Sequence, residues 1–166
     1  MADEILHASH DGVHALRFRG EIRYPLSPSL DRFLQQLFAG PPPKGFVVDL
    51  TEATVIDSTN LGLLARIAKG MDRAGGPKPV LVSNQKDINE VLVSMGFDEV
   101  FSLVDSPEPL PAPGHKVPLR ETDAKTLAKT VLEAHRTLME LNERNRDVFQ
   151  NVAALLEQQI RENAAE

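Results

Sequence analysis

The apolar and polar positions along the 166-residue chain change period several times, and each change marks an element. Residues 5–10 and 13–20 alternate imperfectly around Asp11-Gly12, a pair that supplies the positive backbone angles of a tight turn, so a β-hairpin is predicted. Tyr24 and the prolines up to Pro28 interrupt the pattern. A helix then starts at Ser29 or Asp31, because Leu30, Phe33, Leu34, Leu37 and Phe38 share one face, and Gly40 with the following three prolines stops it. Residues 45–50 (GFVVDL) are almost continuously apolar, as in a strand covered on both sides, and a short polar loop follows. From Asp57 the period becomes helical, with Leu61, Leu64, Ile67, Ala68 and Met71 inward until Gly75-Gly76-Pro77. A strand at 79–83 (PVLVS), a short helix at 87–95 and a last strand at 100–104 complete a βα alternation, which predicts an α/β or α+β domain with a mixed sheet.

Prolines 107, 109, 111, 113 and 118 divide the chain. Residues 105–118 fit neither a regular helix nor an inner strand and read as a semi-extended linker between a domain at 1–104 and an extension at 119–166. Residues 122–163 contain no helix breaker and predict one long helix or two abutting ones, capped by Thr122 or Asp123. Leu127, Val131, Ala134, Leu138, Leu141, Asn145, Val148, Val152, Leu155 and Gln159 follow the alternating steps of a coiled-coil seam, and a second register through Leu132, Met139, Phe149, Leu156 and Ile160 broadens the apolar face. Unbroken, the helix would be about 60 Å long at 1.5 Å per residue, too long for the compact domain to bury. Self-association with Asn145 fixing register, a hairpin bent near residues 142–147, docking into a partner or effector groove, and folding back over the chain's own sheet are the ways to cover it.

Composition narrows the function. With no cysteine in the sequence, disulfides, thiolate nucleophiles and cysteine-based metal sites are excluded. A net charge of −6 is the wrong sign for a nucleic-acid binder, and no apolar stretch approaches the roughly 18 residues of a membrane span. The N-terminal residues lack the basic and apolar regions of a signal peptide, so a cytoplasmic protein that binds neither nucleic acid nor membrane is expected.

The most informative segment is VVDLTEATVIDSTNLGLLARI, residues 47–67, in which a buried strand leads to an aspartate, Ser58 and Thr59 at a helix start. It resembles the STAS domain of bacterial anti-anti-sigma factors, regulators that work by partner switching, over about residues 4–104. The early FRGEIR, residues 18–23, is similar to that family's glycine-containing strand end. Asn60 departs from the glycine that many members carry. The resemblance implies a STAS-like mixed sheet with packed helices. It also implies an anti-sigma factor as partner, a cognate serine kinase and phosphatase, and Ser58 as the phosphorylated residue, with Thr59 as the fallback. Asp57, Ser58, Thr59, Asn60 and Gly62 would form the partner face. Residues 131–149 (VLEAHRTLMELNERNRDVF) resemble the C-terminal extension of the HsbA-type anti-anti-sigma factors, which are linked to motility and biofilm control.

Elementary electrostatics fits such a switch. A phosphate on Ser58 adds about 1.5 to 2 negative charges at a helix N-terminus, where free N–H groups and the dipole accommodate an anion, yet the same charge beside Asp57 disrupts any partner surface built there. Without modification, Ser58 would simply cap its helix. The alternatives are a constitutive scaffold assembled through the long helix and a small-ligand or nucleotide-binding module. No G-x-S-x-G elbow surrounds Ser58, and His7, His10, His14, His115 and His135 suggest no base, so no catalytic residue is expected. His7, His10 and His14 straddle a turn and read as exposed hairpin residues, not a metal site. Asp49, Glu52 and Asp57 read as loop and capping carboxylates, Gly75-Gly76 lacks the lysine and spacing of a phosphate-binding loop, and no cofactor is expected.

Overall fold

A computed structural model describes residues 3–106 and 114–164. Strands β1 (Glu4–His10) and β2 (Val13–Ile22) form the hairpin, pairing from Glu4 with Arg19 to His10 with Val13. Its turn has positive φ at both Asp11 and Gly12, 50° and 82°, which matches the right-handed twist of the flanking strands. One turn of 3₁₀ helix (Tyr24–Leu26) leads into α1 (Ser27–Ala39). The helix starts two residues before the earlier predicted site because Pro28 falls in the first turn, where its missing N–H costs nothing.

Strand β3 (Gly45–Ile56) is twice as long as the run that announced it. The stretch TEATVI, expected as a loop, continues the strand beside the end of β2, with register shifts between Arg17 and Arg19 and between Gly20 and Glu21. At the second shift Gly20 has φ 83°, and a Cβ there would lie 2.3 Å from Asp3 Oδ1, which accepts a 2.8 Å hydrogen bond from the Glu21 amide. Helix α2 (Ser58–Arg73) leads to β4 (Val80–Val82), and α3 (Lys86–Ser94) with the short α4 (Phe97–Val100) leads to β5 (Ser102–Val104). The predicted strand at 100–104 is therefore shorter by two residues at its start.

The strand order is β5-β4-β3-β2-β1-β6. Strands β2 to β5 run parallel and β1 runs antiparallel to both neighbours, so the sheet is mixed. Strand β6 (His115–Lys116) comes from the proline-rich segment expected as linker. Residues 107–113 lie outside the described part, but the end of that segment adds to the edge of β1, and the Val117 amide donates to the Ile5 carbonyl at 2.8 Å.

The extension is two helices, α5 (Ala124–Leu141) and α6 (Glu143–Ala164). No glycine or proline breaks them. Asn142 leaves the helical region, its Oδ1 accepts from the Asn145 amide at 2.8 Å, and its Nδ2 donates to the Met95 carbonyl at 3.3 Å. Asn145, a candidate for fixing the register of an assembly, is buried within its own chain, donating to the carbonyls of Met95 at 2.9 Å and Leu138 at 3.0 Å. Helix α6 packs along α5, and α5 packs on both α1 and α2. The seam residues Ala134 and Leu138 join one continuous core with Phe18, Leu50, Leu64, Met71 and Phe97, as does Phe149 from the second register. Beyond Asn145 the seam faces out: Val148, Val152 and Leu155 are 56%, 41% and 66% exposed. The bend rotates α6 so that Phe149 and Ala153 point inward instead.

Candidate functional site

The strand-to-helix junction after β3 is fixed from both sides. The Asp57 amide donates to the Ile22 carbonyl at 3.1 Å, tying the junction to β2. Asp57 is extended and caps α2, its Oδ1 accepting from the Asn60 amide at 3.0 Å and from Asn60 Nδ2 at 2.9 Å. That bond satisfies one free donor of the first turn. Ser58, expected to share this capping work, is the first helical residue, with its hydroxyl free to bond elsewhere. The departure at Asn60 has a structural consequence: its amide nitrogen adds a second bond to the cap, while its buried Oδ1 has no hydrogen-bond partner among the described residues.

The Ser58 hydroxyl lies 2.9 Å from Nε2 of His135, a residue 77 positions later on α5. His135 is only 4% exposed, its Nδ1 is 2.7 Å from the Val131 carbonyl, and its ring meets Phe149 edge-on at 5.2 Å. A carbonyl only accepts, so Nδ1 carries the proton; in the neutral ring Nε2 is then the acceptor and Ser58 the donor. The sequence offered no partner for the Ser58 hydroxyl and the fold supplies one in His135. Its other nitrogen is held by a backbone carbonyl and not by the carboxylate that orients the histidine of a catalytic triad.

The face expected to receive a partner is occupied by α5. Thr59, Asn60 and Gly62 are buried, and Asp57 and Ser58 are half-buried. At Gly62 the two helix backbones nearly touch: a Cβ there would lie 2.2 Å from the Ala134 carbonyl oxygen and 2.9 Å from its Cα. Lys69 with Glu140 at 2.6 Å and Arg66 with Glu133 at 4.0 Å border the contact. Leu64, Ile67 and Met71 face the core, as the helical spacing predicts.

The remaining candidates disperse. Asp49 is buried on β3, bonded to Arg17 Nε at 3.1 Å and to the Thr51 amide and hydroxyl at 2.8 and 2.7 Å, so it is a structural carboxylate of the sheet. Glu52 pairs with Arg19 at 2.7 Å, and Arg19 also holds Glu4 at 3.1 Å; hydrogen bonding to Arg19 lowers the Glu4 pKa from its ordinary value. Only Asp57 of the three carboxylates belongs to the α2 start. His10 is exposed as expected, but His7 and His14 are half-buried, with Nε2 of one 2.9 Å from Nδ1 of the other and rings stacked. No group of three or more metal-ligating side chains converges among the described residues, and none of the described helices is long and apolar enough to cross a membrane.

Residues 5–109 match the family model of the STAS domain. The chain belongs to the STAS-domain family. The matched STAS region ends before α5 and α6, which are additions to it. The fold is similar to that of an anti-sigma factor antagonist from Mycobacterium paratuberculosis, at 24% identity and a TM-score of 0.55, covering 63% of this chain and 87% of that one. It is also similar to the anti-sigma factor antagonist SpoIIAA in its unphosphorylated form, at 13% identity and a TM-score of 0.53, covering 64% of this chain and 90% of that one. Comparison with curated proteins gives no significant match.

Proposed function

We propose that this STAS protein is an anti-anti-sigma factor: with Ser58 unphosphorylated it binds an anti-sigma factor, and phosphorylation of Ser58 ends that binding. The observation that carries this reading is Ser58 itself, the first residue of an α2 already capped by Asp57, with its hydroxyl uncommitted to the cap. The likeness to two anti-sigma factor antagonists, one of them described by its phosphorylation state, supports the same reading. The protein acts as a non-enzymatic cytoplasmic regulator, served by a cognate serine kinase and phosphatase, and its HsbA-type extension suits a role in motility or biofilm control. Thr59 is buried and Ser58 half-buried, which makes Ser58 the more exposed hydroxyl of the pair. Asp57, Ser58, Thr59, Asn60 and Gly62 form the contact face once it is uncovered.

A phosphate beside Asp57 that removes about 3 to 4 kcal/mol from the complex weakens it roughly 150- to 850-fold. Intact-mass analysis of the protein from its native cells, with capture by Ser58→Ala and Ser58→Asp forms, tests the proposal. Phosphate on Ser58 and capture of an anti-sigma factor by the alanine form alone are expected. Equal affinity of that factor for chains with serine and phosphoserine at position 58 refutes it. The exposed stripe Val148, Val152 and Leu155 supports a second role, self-association through α6, which sedimentation of the purified chain reads directly.

A further inference from the structure

The family match ends before α5, yet α5 sits on the face that the proposed switch needs, and the character of that contact points to a removable cover. The polar groups on the inner side of α5 are satisfied by its own backbone. Thr130 Oγ1 donates to the Thr126 carbonyl at 3.1 Å, Thr137 Oγ1 to the Glu133 carbonyl at 3.0 Å, and His135 Nδ1 to the Val131 carbonyl. The helix has its own cap, Asp123 accepting from the Thr126 amide at 2.7 Å, and its own packing partner in α6. Lifting α5 from α2 therefore leaves these bonds intact; release of the whole hairpin also breaks the bonds of Asn142 and Asn145 to the Met95 carbonyl. The buried polar tie from α5 to α2 is the Ser58–His135 hydrogen bond, while the ion pairs at Lys69 and Arg66 lie at the border.

We infer that the α5–α6 hairpin is an intramolecular cover of the Ser58 face, latched by His135, and that phosphorylation of Ser58 ejects it. The inference rests on the reading of Ser58 as the modified residue and adds the regulation of that site. The imidazole edge stands 2.9 Å from the Ser58 oxygen, in the space that phosphoryl oxygens would take. Helix α5 cannot yield toward α2, because Gly62 and Ala134 already bring the backbones together. Outward is the direction left. With Nδ1 turned to the Val131 carbonyl, Nε2 faces the serine as the hydroxyl's acceptor at hydrogen-bond distance, which leaves no room between them for a phosphoryl group. The same geometry shields unmodified Ser58, so a kinase or an anti-sigma factor meets the face only in chains whose hairpin has opened, and apparent affinity falls by that open fraction.

Amide hydrogen exchange on the full chain carrying phosphoserine at position 58 tests this. Amides of residues 124–141 are expected to exchange at least about 100-fold faster than in the unmodified chain, since the phosphoryl group and the His135 ring cannot share the space under the helix. Amides of β2 and β3 keep their slow exchange, which separates release from unfolding. Ser58→Ala loses only a neutral hydrogen bond and speeds α5 by about tenfold or less. If phosphoserine loosens β2 and β3 as well, Ser58→Asp, read the same way, decides. Protection of α5 equal to or greater than that of the unmodified chain overturns the cover. Binding of the anti-sigma factor captured with the alanine form is measured on the same samples. Release of α5 with unchanged partner affinity upholds the cover and refutes the proposed function; loss of the partner with α5 still protected does the reverse.

Discussion

Gly62→Ala reverses the ordinary sign of a glycine substitution in a helix. In the interior of a free helix, replacing glycine by alanine is stabilising by about 1 kcal/mol, because the unfolded chain loses freedom and the helix gains propensity. Gly62 lies in the second turn of α2 with a negative φ, so the backbone itself raises no objection. The new Cβ would nevertheless stand 2.2 Å from the Ala134 oxygen, 2.6 Å from its carbonyl carbon and 2.9 Å from its Cα, all backbone atoms of a packed helix. Relief requires α5 to move as a body, and overpacking of this kind costs about 1 to 3 kcal/mol. The two effects fall on different equilibria. Docking of α5 loses the full 1 to 3 kcal/mol, so its amides exchange roughly 5- to 150-fold faster. Overall unfolding loses that amount less the helix gain, so the net change is between about 0 and 2 kcal/mol destabilising. Urea denaturation gives the second quantity and hydrogen exchange the first. A raised urea midpoint with α5 amides as slow as in the wild type would refute the close crossing of the two helices.

Three other perturbations probe the rest of the structure. Leu138→Ala empties a fully buried position of α5 and is expected to cost about 2 to 5 kcal/mol in urea denaturation, whereas a helix packed only loosely on the domain would lose well under 1. Asp49→Ala removes the acceptor shared by Arg17 and Thr51 from inside the sheet and is expected to cost about 3 kcal/mol by thermal unfolding; a change under 0.5 would mean that water replaces the carboxylate freely. Burial lowers the pKa of both His7 and His14 from the ordinary 6.5, with His14 and His115 adding to the effect at His7. The folded state thus favours the neutral rings and the unfolded chain takes up protons first. Stability is full above about pH 6.5 and declines as pH falls below it, and His7→Gln with His14→Gln flattens that decline in melting temperature measured against pH.

The hairpin at Asp11-Gly12 and the helix start at Asp57 were legible because each depends on a few neighbouring residues with one dominant backbone preference. The end of β3 was not. Thr51, Glu52 and Thr54 carry the polarity of a loop, but Glu52 is drawn into the sheet by Arg19 on the adjacent strand, a partner 33 residues away. The seam from Leu127 to Leu141 marked the inner face of α5 well. It misled beyond Asn142, where one extended residue resets the helical phase and no glycine or proline signals it. Least legible was the contact that defines the site. Ser58 and His135 meet because α5 lies across α2 at the Gly62–Ala134 crossing, and neither residue's own surroundings in sequence imply the other.

The root of the hairpin is pinned. Arg120 exchanges bonds with Ser29 on α1, its amide donating to Oγ at 2.9 Å and its carbonyl accepting from that hydroxyl at 3.3 Å, and α5 begins four residues later at Ala124. A hairpin lifted from α2 therefore does not diffuse away; the short tether holds it at an effective concentration of order millimolar beside the face it left. Reclosure is a unimolecular event independent of how much protein the cell makes. Under the proposed cover, an intermolecular rival for the face would have to overcome that fixed local excess, and tether length between Arg120 and Ala124 would set the partner concentration it needs.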